Sequence, residues 1–480
     1  MTMGDHRSQP WLQALSGGVL AGLAPAGLGP LLMIPGLALL WSIAERPRLA
    51  ALWGAVAVLI SHRWLLSLHP LTWMGVPSLL SLPVAVAIWM VCAASAAVLV
   101  GLWSLLARWS GTPVLLLAAV WGVAEVMLAA GPLFWIGVGG STLPLDRPLA
   151  GLSRWIGAGG LATLQLLWGW AACSLWRWRP GRRRLAVITV ASVLLAHGLG
   201  GLLLRGAATG QPASEPELLR LAAWQPAIPT REKFTPERRQ QFPSALQRAL
   251  AEADELGAGL LVAPEGTLPV GWTLPDAAPL PLLSGGFRWE LGQQRSSLLL
   301  LEPGGVEPLP LLDKHRLVPL GEWLPPLPLG LTAGLSAVGG LHPGTPSRAL
   351  AGLQPAGAAA ICYEISDGRA LAAASAEGAR WLLAVANLDP YPQLLQRQFT
   401  ALGQLRALEN DRDLLSVANT GPTVLIKADG RVHPLLPPLQ EGVALAELRP
   451  RASTTLYARW RDVVLLPLLV VGMLRLLASR

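Results

Sequence analysis

The sequence predicts a multi-pass α-helical membrane bundle of about eight transmembrane (TM) helices joined to one α/β domain. The chain has 480 residues, of which 52% are hydrophobic and 14% are charged, and its mean hydropathy is +0.47. Apolar stretches of about 20 residues, long enough to cross a hydrocarbon core, occupy both ends. Between them, short apolar segments alternate with polar turns. These observations predict a bundle at 1–208, an α/β domain at 209–458 and a C-terminal helix at 459–480.

The predicted spans follow one another with short connections. They lie near 11–28, 29–45, 50–68, 79–107, 113–131, 155–175, 185–205 and 461–478. Basic residues such as Arg46, Arg48 and Arg182–Arg184 fall in alternate connections, and the positive-inside rule makes that side cytoplasmic. Both chain ends are then cytoplasmic, and about seven crossings place the α/β domain outside. The predicted location is a bacterial inner membrane, with the domain in the periplasm.

The α/β domain is predicted from segments that alternate between strand and helix periodicity. Strands are expected at 218–227, 259–264, 297–302, 358–362, 380–386 and 414–418, with a hairpin at 423–434 that turns on Asp429-Gly430. Helices are expected at 244–256, 367–378 and 392–410. About 250 residues are enough for this domain to have a hydrophobic core of its own.

Composition argues against several function classes. The formal net charge is +8 and the pI is about 10.2, but the arginines lie mostly in short loops where membrane topology explains them, so no nucleic-acid partner is expected. The 7 histidines are scattered without metal-ligand spacing, so no metal is expected. Phosphate-loop and dinucleotide motifs are absent, so no cofactor is expected. The 3 cysteines form neither a C-x-x-C pair nor a disulfide framework.

Three polar residues of the α/β domain stand at the ends of predicted buried strands: Glu265, Lys314 and Cys362. Polar groups at neighbouring strand ends can converge on one site. A thiol is mostly protonated at neutral pH, so a nucleophilic cysteine needs a base and a nearby cation, which Glu265 and Lys314 can supply. Taken singly, each residue has a structural explanation, because a buried cysteine usually packs and the two charged residues are usually solvated.

The motifs around these residues are more specific than the residues alone. They are A-P-E-G-T around Glu265, K-H-R-L-V-P-L-G-E from Lys314 to Glu322, and I-C-Y-E-I around Cys362. In these motifs the chain resembles the nitrilase (carbon-nitrogen hydrolase) superfamily. Together with the predicted spans, they make essentially the whole chain similar to the apolipoprotein N-acyltransferase family. The resemblance implies an αββα sandwich and a catalytic triad of Glu265, Lys314 and Cys362.

The resemblance also implies a reaction. Cys362 would take a fatty acyl group from a membrane phospholipid as a thioester, and the α-amine of a diacylglyceryl-cysteine at an apolipoprotein N-terminus would then accept it. Glu265 would shuttle the protons and Lys314 would hold the oxyanion. The family pattern implies accessory roles for Glu322, Glu364, Tyr363, Asn387 and Trp224. For Trp224 a place in a strand core is an equal alternative, and the protein is expected to be a monomer.

One segment departs from the family pattern. Where that pattern resembles Asn-Asp-(Ala/Ser)-Trp-Phe-Gly, this chain has Asn387-Leu388-Asp389-Pro390-Tyr391-Pro392, so substrate gating and the choice of acyl donor are expected to differ. The segment 266–313 is also short for the family. Two alternatives remain open: a membrane-tethered amidase in which water resolves the thioester, and a binding protein with an inactive hydrolase domain.

Overall fold

The computed structural model describes residues 9–72, 76–109, 112–176, 182–209, 218–233, 235–319, 321–323, 340–350 and 352–478. The helices before residue 210 are α1 (Pro10–Leu23), α2 (Pro30–Ser42), α3 (Pro47–Ser61), α4 (Ser78–Arg108), α5 (Val114–Ala129), α6 (Gly137–Gly140), α7 (Arg147–Ala150), α8 (Ser153–Trp176) and α9 (Arg183–Thr209). Among the described residues, 4 helical stretches are long and apolar enough to cross a membrane: Pro10–Leu28, Ser78–Arg108, Ser153–Trp176 and Arg183–Gly206. The predicted number of about eight crossings stays a prediction.

Small residues let the bundle helices pack closely. A Cβ atom on Gly18 or Gly22 of α1 would lie 2.7 Å from the backbone oxygen of Trp53 or Ala57 on α3. Such close approach gives apolar helices the van der Waals contact that holds them together in lipid. Helix α3 in turn packs on α4, and a 3-10 turn, Arg63–Leu68, follows α3 and also packs on α4. This turn and α4 therefore form one apolar surface.

Two six-stranded sheets form the core of the α/β domain. The strands are β1 (Leu219–Gln225), β2 (Leu260–Leu268), β3 (Leu282–Glu290), β4 (Gln293–Leu301), β5 (Leu309–Asp313), β6 (Ala349–Leu350), β7 (Gly357–Ile361), β8 (Trp381–Ala386), β9 (Leu414–Ala418), β10 (Thr423–Ile426), β11 (Val432–Leu436) and β12 (Gly442–Leu448). The first sheet has the order β12-β1-β2-β3-β4-β5 and the second has the order β11-β10-β9-β8-β7-β6. The later helices are α10 (Pro236–Glu255), α11 (Gly368–Ala376), α12 (Gln393–Asn410), α13 (Leu456–Trp460) and α14 (Leu465–Ala478).

The two sheets pack face to face, with a helical layer on each outer side. Strands β1 and β2 lie against β8 and β9, α10 covers the first sheet, and α11 and α12 cover the second. This is a nitrilase-type αββα sandwich, so the predicted fold of the domain is confirmed. Because both faces of its central strands are covered, β7, β8 and β9 are fully buried and almost wholly apolar.

Parallel strands bring polar residues to one edge of the sandwich. Strands β1, β2 and β3 run parallel, as do β7, β8 and β9. Ligand sites of α/β sheets form beyond the carboxyl ends of such strands. Glu265 lies in the C-terminal half of β2, Cys362 directly follows β7 and Asn387 directly follows β8.

Some predicted elements differ from the observed ones. The helix expected to begin at Ser244 begins at Pro236, where Thr235 accepts a hydrogen bond from a backbone N–H, so Pro243 lies inside the helix. The Thr-Pro pair is the better start signal, because proline fits the first helical position. Strands β3, β6 and β12 have no predicted counterpart, because glycine, charge or short length interrupts their apolar alternation. Residues 210–217, which adjoin the predicted domain boundary, lie outside the described residues.

Buried polar contacts hold the domain on the bundle. Gln398 of α12 donates from Nε2 to the carbonyl oxygen of Ser61 on α3 at 3.0 Å. Arg154 on α8 forms an ion pair with Asp411 at 2.7 Å, and both side chains are 8% exposed. Separating this pair would leave a buried charge without its partner, which is costly. These contacts join the α/β domain to α3 and α8 of the bundle.

Candidate active site

A cavity of about 530 Å³ lies between the edge of the sandwich and the bundle. On one side the α/β domain contributes Glu265, Glu322 and Cys362, and we name this side the domain wall. The other side is apolar and is formed by the 3-10 turn and α4. We name it the bundle wall, and it consists of Trp64, Leu65, Leu68, Val84, Ala87, Ile88, Val91 and Cys92.

The bundle wall reaches the outer surface of α4. Val91 lines the cavity and is also 64% exposed. Helix α4 is one of the stretches long enough to cross a membrane, so its exposed apolar face suits contact with lipid. Where the two walls meet, Trp64 packs edge-on against Tyr391, with ring centres 5.3 Å apart. The apolar lining of the cavity therefore shares residues with the exposed face of α4.

Cys362 sits at the sharp turn between β7 and a 3-10 turn, Cys362–Ser366. Its φ of +56° lies in the left-handed region, which residues with a Cβ atom rarely adopt. Strand β7 is fully buried and paired on both sides, with β6 and β8, so the surrounding structure holds this conformation. The turn presents the thiol to the cavity, where the residue is 8% exposed.

Lys314 is completely buried between two carboxylates. Its Nζ atom donates to Oε1 of Glu265 and to Oε1 of Glu322, each at 2.7 Å. Burial alone lowers the pKa of an ammonium, but the charges of the two glutamates outweigh burial and hold the pKa of Lys314 well above its ordinary value. Lys314 therefore stays protonated, and its positive charge by itself lowers the pKa of Cys362.

Glu265 is held at both of its carboxylate oxygens and at its backbone. Oε1 accepts from Lys314, Oε2 accepts from the backbone N–H of Asn387 at 3.2 Å, and the carbonyl oxygen accepts from Nζ of Lys233 at 2.9 Å. Strand β3 can pass this close because residue 285 is Gly285, where a Cβ atom would lie 2.5 Å from the Cα atom of Glu265. The carboxylate therefore has a defined orientation toward the cavity.

The thiol of Cys362 is protonated in the resting site. Burial raises its pKa and the charge of Glu265 raises it further, while Lys314 lowers it, and the balance holds the pKa well above its ordinary value. Glu265 and Cys362 both line the cavity, so the carboxylate and the thiol face the same space. A base is needed to form the thiolate, and the arrangement places the Glu265 carboxylate and the Lys314 ammonium where a base and a counter-charge for the thiolate would be required.

Glu364 ties the turn that carries Cys362 to the chain that follows the buried lysine. Its carboxylate accepts from the backbone N–H of Ile361 at 2.9 Å and from that of His315 at 2.7 Å. The guanidinium of Arg348 donates to both carboxylate oxygens at 2.7 Å. Glu364 and Arg348 are each 2% exposed. This buried pair sets the distance between the turn and the lysine segment.

Two tyrosines line the cavity beside the thiol. The hydroxyl oxygens of Tyr363 and Tyr391 are 3.1 Å apart, and Phe134 packs on the Tyr363 ring with centres 5.5 Å apart. Burial raises the pKa of both tyrosines well above the ordinary value, so both hydroxyls stay neutral and can donate hydrogen bonds. Tyr391 belongs to the segment that departs from the family pattern, which therefore still brings an aromatic ring to the cavity.

The structure brings most of the residues singled out in the sequence to this place. Glu265, Glu322, Cys362, Tyr363 and Asn387 line the cavity, and Lys314 and Glu364 lie directly behind its wall.

Trp224 does not reach the cavity. Its side chain is 2% exposed in β1 and packs against Phe242 with ring centres 6.3 Å apart, in the core of the first sheet. The expected accessory role therefore has no geometric support. Trp224 lies in the core of a strand, which is the alternative predicted for it from the sequence.

Lys233, Arg348 and Tyr391 are among the residues at or behind the cavity that were not predicted as site residues. Lysine occurs only at 233, 314 and 427 in this chain, and that scarcity is a weak signal for Lys233. Arg348 lies in no recognisable motif, so only the fold brings it to Glu364.

The chain matches one family model and is similar to several known proteins. Residues 296–457 match the family model described as carbon-nitrogen hydrolase. A protein named apolipoprotein N-acyltransferase from Parasynechococcus marenigrum is 64% identical, over 95% of this chain and 98% of its own length. One of the same name from Prochlorococcus marinus is 56% identical, over 100% of this chain and 98% of its own length. A solved nitrilase-superfamily structure from Saccharomyces cerevisiae is 14% identical, covers 53% of this chain and 97% of its own, and has a TM-score of 0.38.

Proposed function

This chain belongs to the apolipoprotein N-acyltransferase family, and we propose that it moves a fatty acyl group from a membrane phospholipid to the N-terminal α-amine of diacylglyceryl-cysteine on apolipoproteins. The observation that carries this proposal is the cavity with two unlike walls. The domain wall places a thiol and a carboxylate in front of a buried ammonium, and the bundle wall is apolar and reaches the lipid-facing surface of α4. An enzyme for small soluble amides needs only the first wall, whereas a lipid acyl donor needs both.

In the first half-reaction, Cys362 attacks the ester carbonyl carbon of the phospholipid. Glu265 accepts the thiol proton as the carbon–sulfur bond forms, and the Lys314 ammonium stabilises the negative oxygen of the tetrahedral intermediate. The ester carbon–oxygen bond then breaks. Glu265 returns the proton to the leaving lysophospholipid oxygen, and the acyl group stays on Cys362 as a thioester.

In the second half-reaction, the α-amine of the apolipoprotein attacks the thioester carbon. Glu265 accepts a proton from the amine, and Lys314 again stabilises the oxyanion. The carbon–sulfur bond breaks as the amide forms, and the proton passes from Glu265 to the sulfur of Cys362. The site returns to its resting state with a neutral thiol.

The neighbouring residues have positioning roles in this proposal. Glu322 shares the ammonium of Lys314 and keeps it charged, and Asn387 orients the carboxylate of Glu265 through its backbone N–H. Glu364 sets the turn that presents the nucleophile. Tyr363 contributes a neutral hydroxyl to the cavity beside that turn.

We further propose that the α/β domain faces the periplasm of a bacterial cell and that both chain ends lie in the cytoplasm. The proposed bounds are 1–208 for the bundle, 209–458 for the α/β domain and 459–480 for the C-terminal helix. The basic connections at Arg46, Arg48 and Arg182–Arg184 support this orientation under the positive-inside rule. We also propose that the protein acts as a monomer.

Trapping the acyl-enzyme tests the proposed function. The purified chain in mixed micelles is incubated with a phospholipid labelled in its fatty acyl group, without any acceptor. A hydroxylamine-labile adduct is expected on Cys362, and adding a diacylglyceryl lipopeptide should convert it to an N-acylated product, followed by mass spectrometry.

Two cysteine variants serve as matched controls. Cys362→Ala should form no adduct, whereas Cys173→Ala, which changes a buried cysteine of α8, should form it normally. Absence of the adduct from an enzyme that still acylates the lipopeptide would contradict the thioester route. Release of free fatty acid in place of the N-acylated product would favour the amidase-like alternative.

A further inference from the structure

A single basic side chain borders the proposed acyl-transfer site from the domain wall. Lys233 lies in the loop between β1 and α10, and among the described residues it is the one lysine or arginine that lines the cavity. Its Nζ atom donates to the carbonyl oxygen of Glu265 at 2.9 Å. Gly266 borders this ammonium without a side chain, since a Cβ atom there would lie 3.4 Å from Nζ. No side chain at position 266 therefore covers the amine, and Lys233 lines the cavity.

The lysines of this chain differ in how their charge is balanced. Lys314 contacts two carboxylates at 2.7 Å, and Lys427 contacts Asp413 at 3.0 Å. Within the parts of the chain that the structure describes, Lys233 has no carboxylate at ion-pair distance. Burial lowers the pKa of Lys233 to about 8, and the attraction of the Glu265 and Asp389 carboxylates, which both line the cavity, does not offset it. An anion that binds beside this ammonium in the cavity would stabilise its buried charge.

The proposed acyl donor carries an anion at the right place. In a glycerophospholipid the phosphodiester is permanently negative and is linked to the reacting ester through the glycerol, so an ester placed at the thiol brings its phosphate close to the same site. The carboxylates of Glu265 and Glu322 outnumber the single ammonium of Lys314, so this part of the site repels a phosphate that has no cation of its own. Lys233 is the group that can reverse that repulsion.

We propose that Lys233 binds the phosphodiester of the phospholipid donor, and so holds the headgroup end of the lipid while its acyl chain lies on the bundle wall. This inference rests on the proposed function and names the part of the donor that the site recognises. It is a binding role, so no bond is made or broken at Lys233. The competing explanation is structural: the lysine only holds the backbone of Glu265 through its hydrogen bond.

Two donors separate these explanations. One is phosphatidylglycerol, which carries the phosphodiester, and the other is a p-nitrophenyl ester of the same fatty acid, which carries no charge. Acylation of Cys362 is measured in neutral-detergent micelles at varied donor mole fraction. For Lys233→Met we expect the KM for phosphatidylglycerol to rise about 10- to 100-fold, the range that loss of one charged hydrogen bond gives. The KM for the uncharged ester should change much less.

Three further measurements complete the test. Lys427→Met, which alters a lysine outside the cavity, should leave both KM values unchanged. In the unaltered protein the KM for phosphatidylglycerol should rise between pH 7 and pH 9, as the ammonium loses its proton near its pKa of about 8. Lys233→Arg should remove this pH dependence, because arginine stays charged. Inorganic phosphate should compete only weakly, because it lacks the acyl chain.

The outcomes are separable. An equal loss for both donors in Lys233→Met would show the structural role and overturn the phosphate assignment, as would an unchanged KM for phosphatidylglycerol. Strong competition by inorganic phosphate without any donor-dependent change in KM would assign the site to a soluble phosphate and overturn the headgroup assignment. If the unaltered protein forms no thioester from phosphatidylglycerol, the proposed function itself fails, and that result differs from every result on Lys233.

Discussion

The two walls of the cavity are built on opposite physical principles. The domain wall is a set of charged groups whose hydrogen bonds are short and specific, such as the two 2.7 Å contacts of Lys314 and the paired contacts of Arg348 with Glu364. The bundle wall consists of apolar side chains of a 3-10 turn and α4. The domain wall therefore holds individual charged atoms in set positions, whereas the bundle wall provides an extended apolar surface.

This difference assigns a separate task to each wall. Charge development at one carbon requires donors in set positions, because a misplaced donor loses most of its effect. Binding of a flexible acyl chain depends on buried apolar area, about 0.8 kcal/mol for each methylene group, and tolerates many contact geometries. Changes in the domain wall should therefore alter the rate of the chemical steps, and changes in the bundle wall should alter which lipid is chosen.

The largest effect is expected in the domain wall, from Glu265→Gln. Glutamine keeps the shape and can still contact Lys314, but it cannot take the thiol proton. We expect kcat for thioester formation to fall about 10³-fold or more, in line with loss of a general base in a buried site. Single-turnover acylation with labelled phospholipid measures this rate.

Glu307→Gln is the matched control, because it changes an exposed carboxylate away from the cavity and should leave the rate unchanged. A rate for Glu265→Gln within about tenfold of the unaltered protein would show that another group accepts the proton, since general bases ordinarily contribute more than that.

The sequence predicts the domain wall well where local patterns carry it. Strands β8 and β9 are almost wholly apolar, so their bounds at Trp381–Ala386 and Leu414–Ala418 agree with the prediction to within one residue. Glu265, Lys314 and Cys362 stand in motifs, and the strand ends that carry them do converge. By contrast, Arg348 reaches Glu364 only through long-range packing, which no local periodicity records.

A smaller loss is expected when the support of the domain wall is weakened. In Glu364→Gln the Arg348 guanidinium loses its buried counter-charge, and the turn that carries Cys362 is no longer held as firmly. We expect kcat to fall about 10- to 100-fold, with a lower Tm, since removing a partner of a buried ion pair is destabilising.

A double-mutant cycle distinguishes positioning from general destabilisation. If Glu364 and Arg348 act as one unit, adding Arg348→Met to Glu364→Gln should cost little more activity than Glu364→Gln alone. Fully additive losses in kcat would contradict their joint role. Glu377→Gln, which changes an exposed carboxylate just after α11, serves as the control for loss of a negative charge.

The next prediction concerns the resting charge of the domain wall. Because burial and Glu265 raise the pKa of Cys362 well above its ordinary value, the thiolate fraction is small at neutral pH and keeps rising as the pH increases. Alkylation of Cys362 by iodoacetamide should therefore be about tenfold or more slower at pH 8 than that of a free thiol with a pKa of about 8.5, and should still increase above pH 9.

Mass spectrometry of the peptide that contains Cys362 measures this rate, with glutathione in the same tube as the reference. A plateau below pH 8 would show that a thiolate is already formed at rest. In that case Lys314 would outweigh burial and Glu265, opposite to the balance of charges that the geometry gives.

Sequence patterns predict much less about which residues form the bundle wall. Most of its residues come from α4, whose apolar side chains point in all directions, so nothing in the periodicity distinguishes the side of the helix that faces the cavity from the opposite side. Val91 and Val98 have similar exposure, 64% and 61%, yet only the first lines the cavity. The position of the α/β domain relative to α4 decides which residues of the helix line the cavity, and the sequence of α4 alone does not encode that position.

The smallest effect is expected from this wall, in Ile88→Trp. The larger side chain fills part of the apolar surface without touching the charged groups, so kcat with a short acyl donor should stay near that of the unaltered protein. The ratio of kcat/KM for an eighteen-carbon donor over a twelve-carbon donor should fall about three- to tenfold, which corresponds to the loss of one or two buried methylene groups.

Val98→Trp, on the same helix but outside the cavity, should leave the ratio unchanged. An equal fall for both donors in Ile88→Trp would mean that the bundle wall also positions the reacting ester, and the division of tasks between the walls would then be wrong.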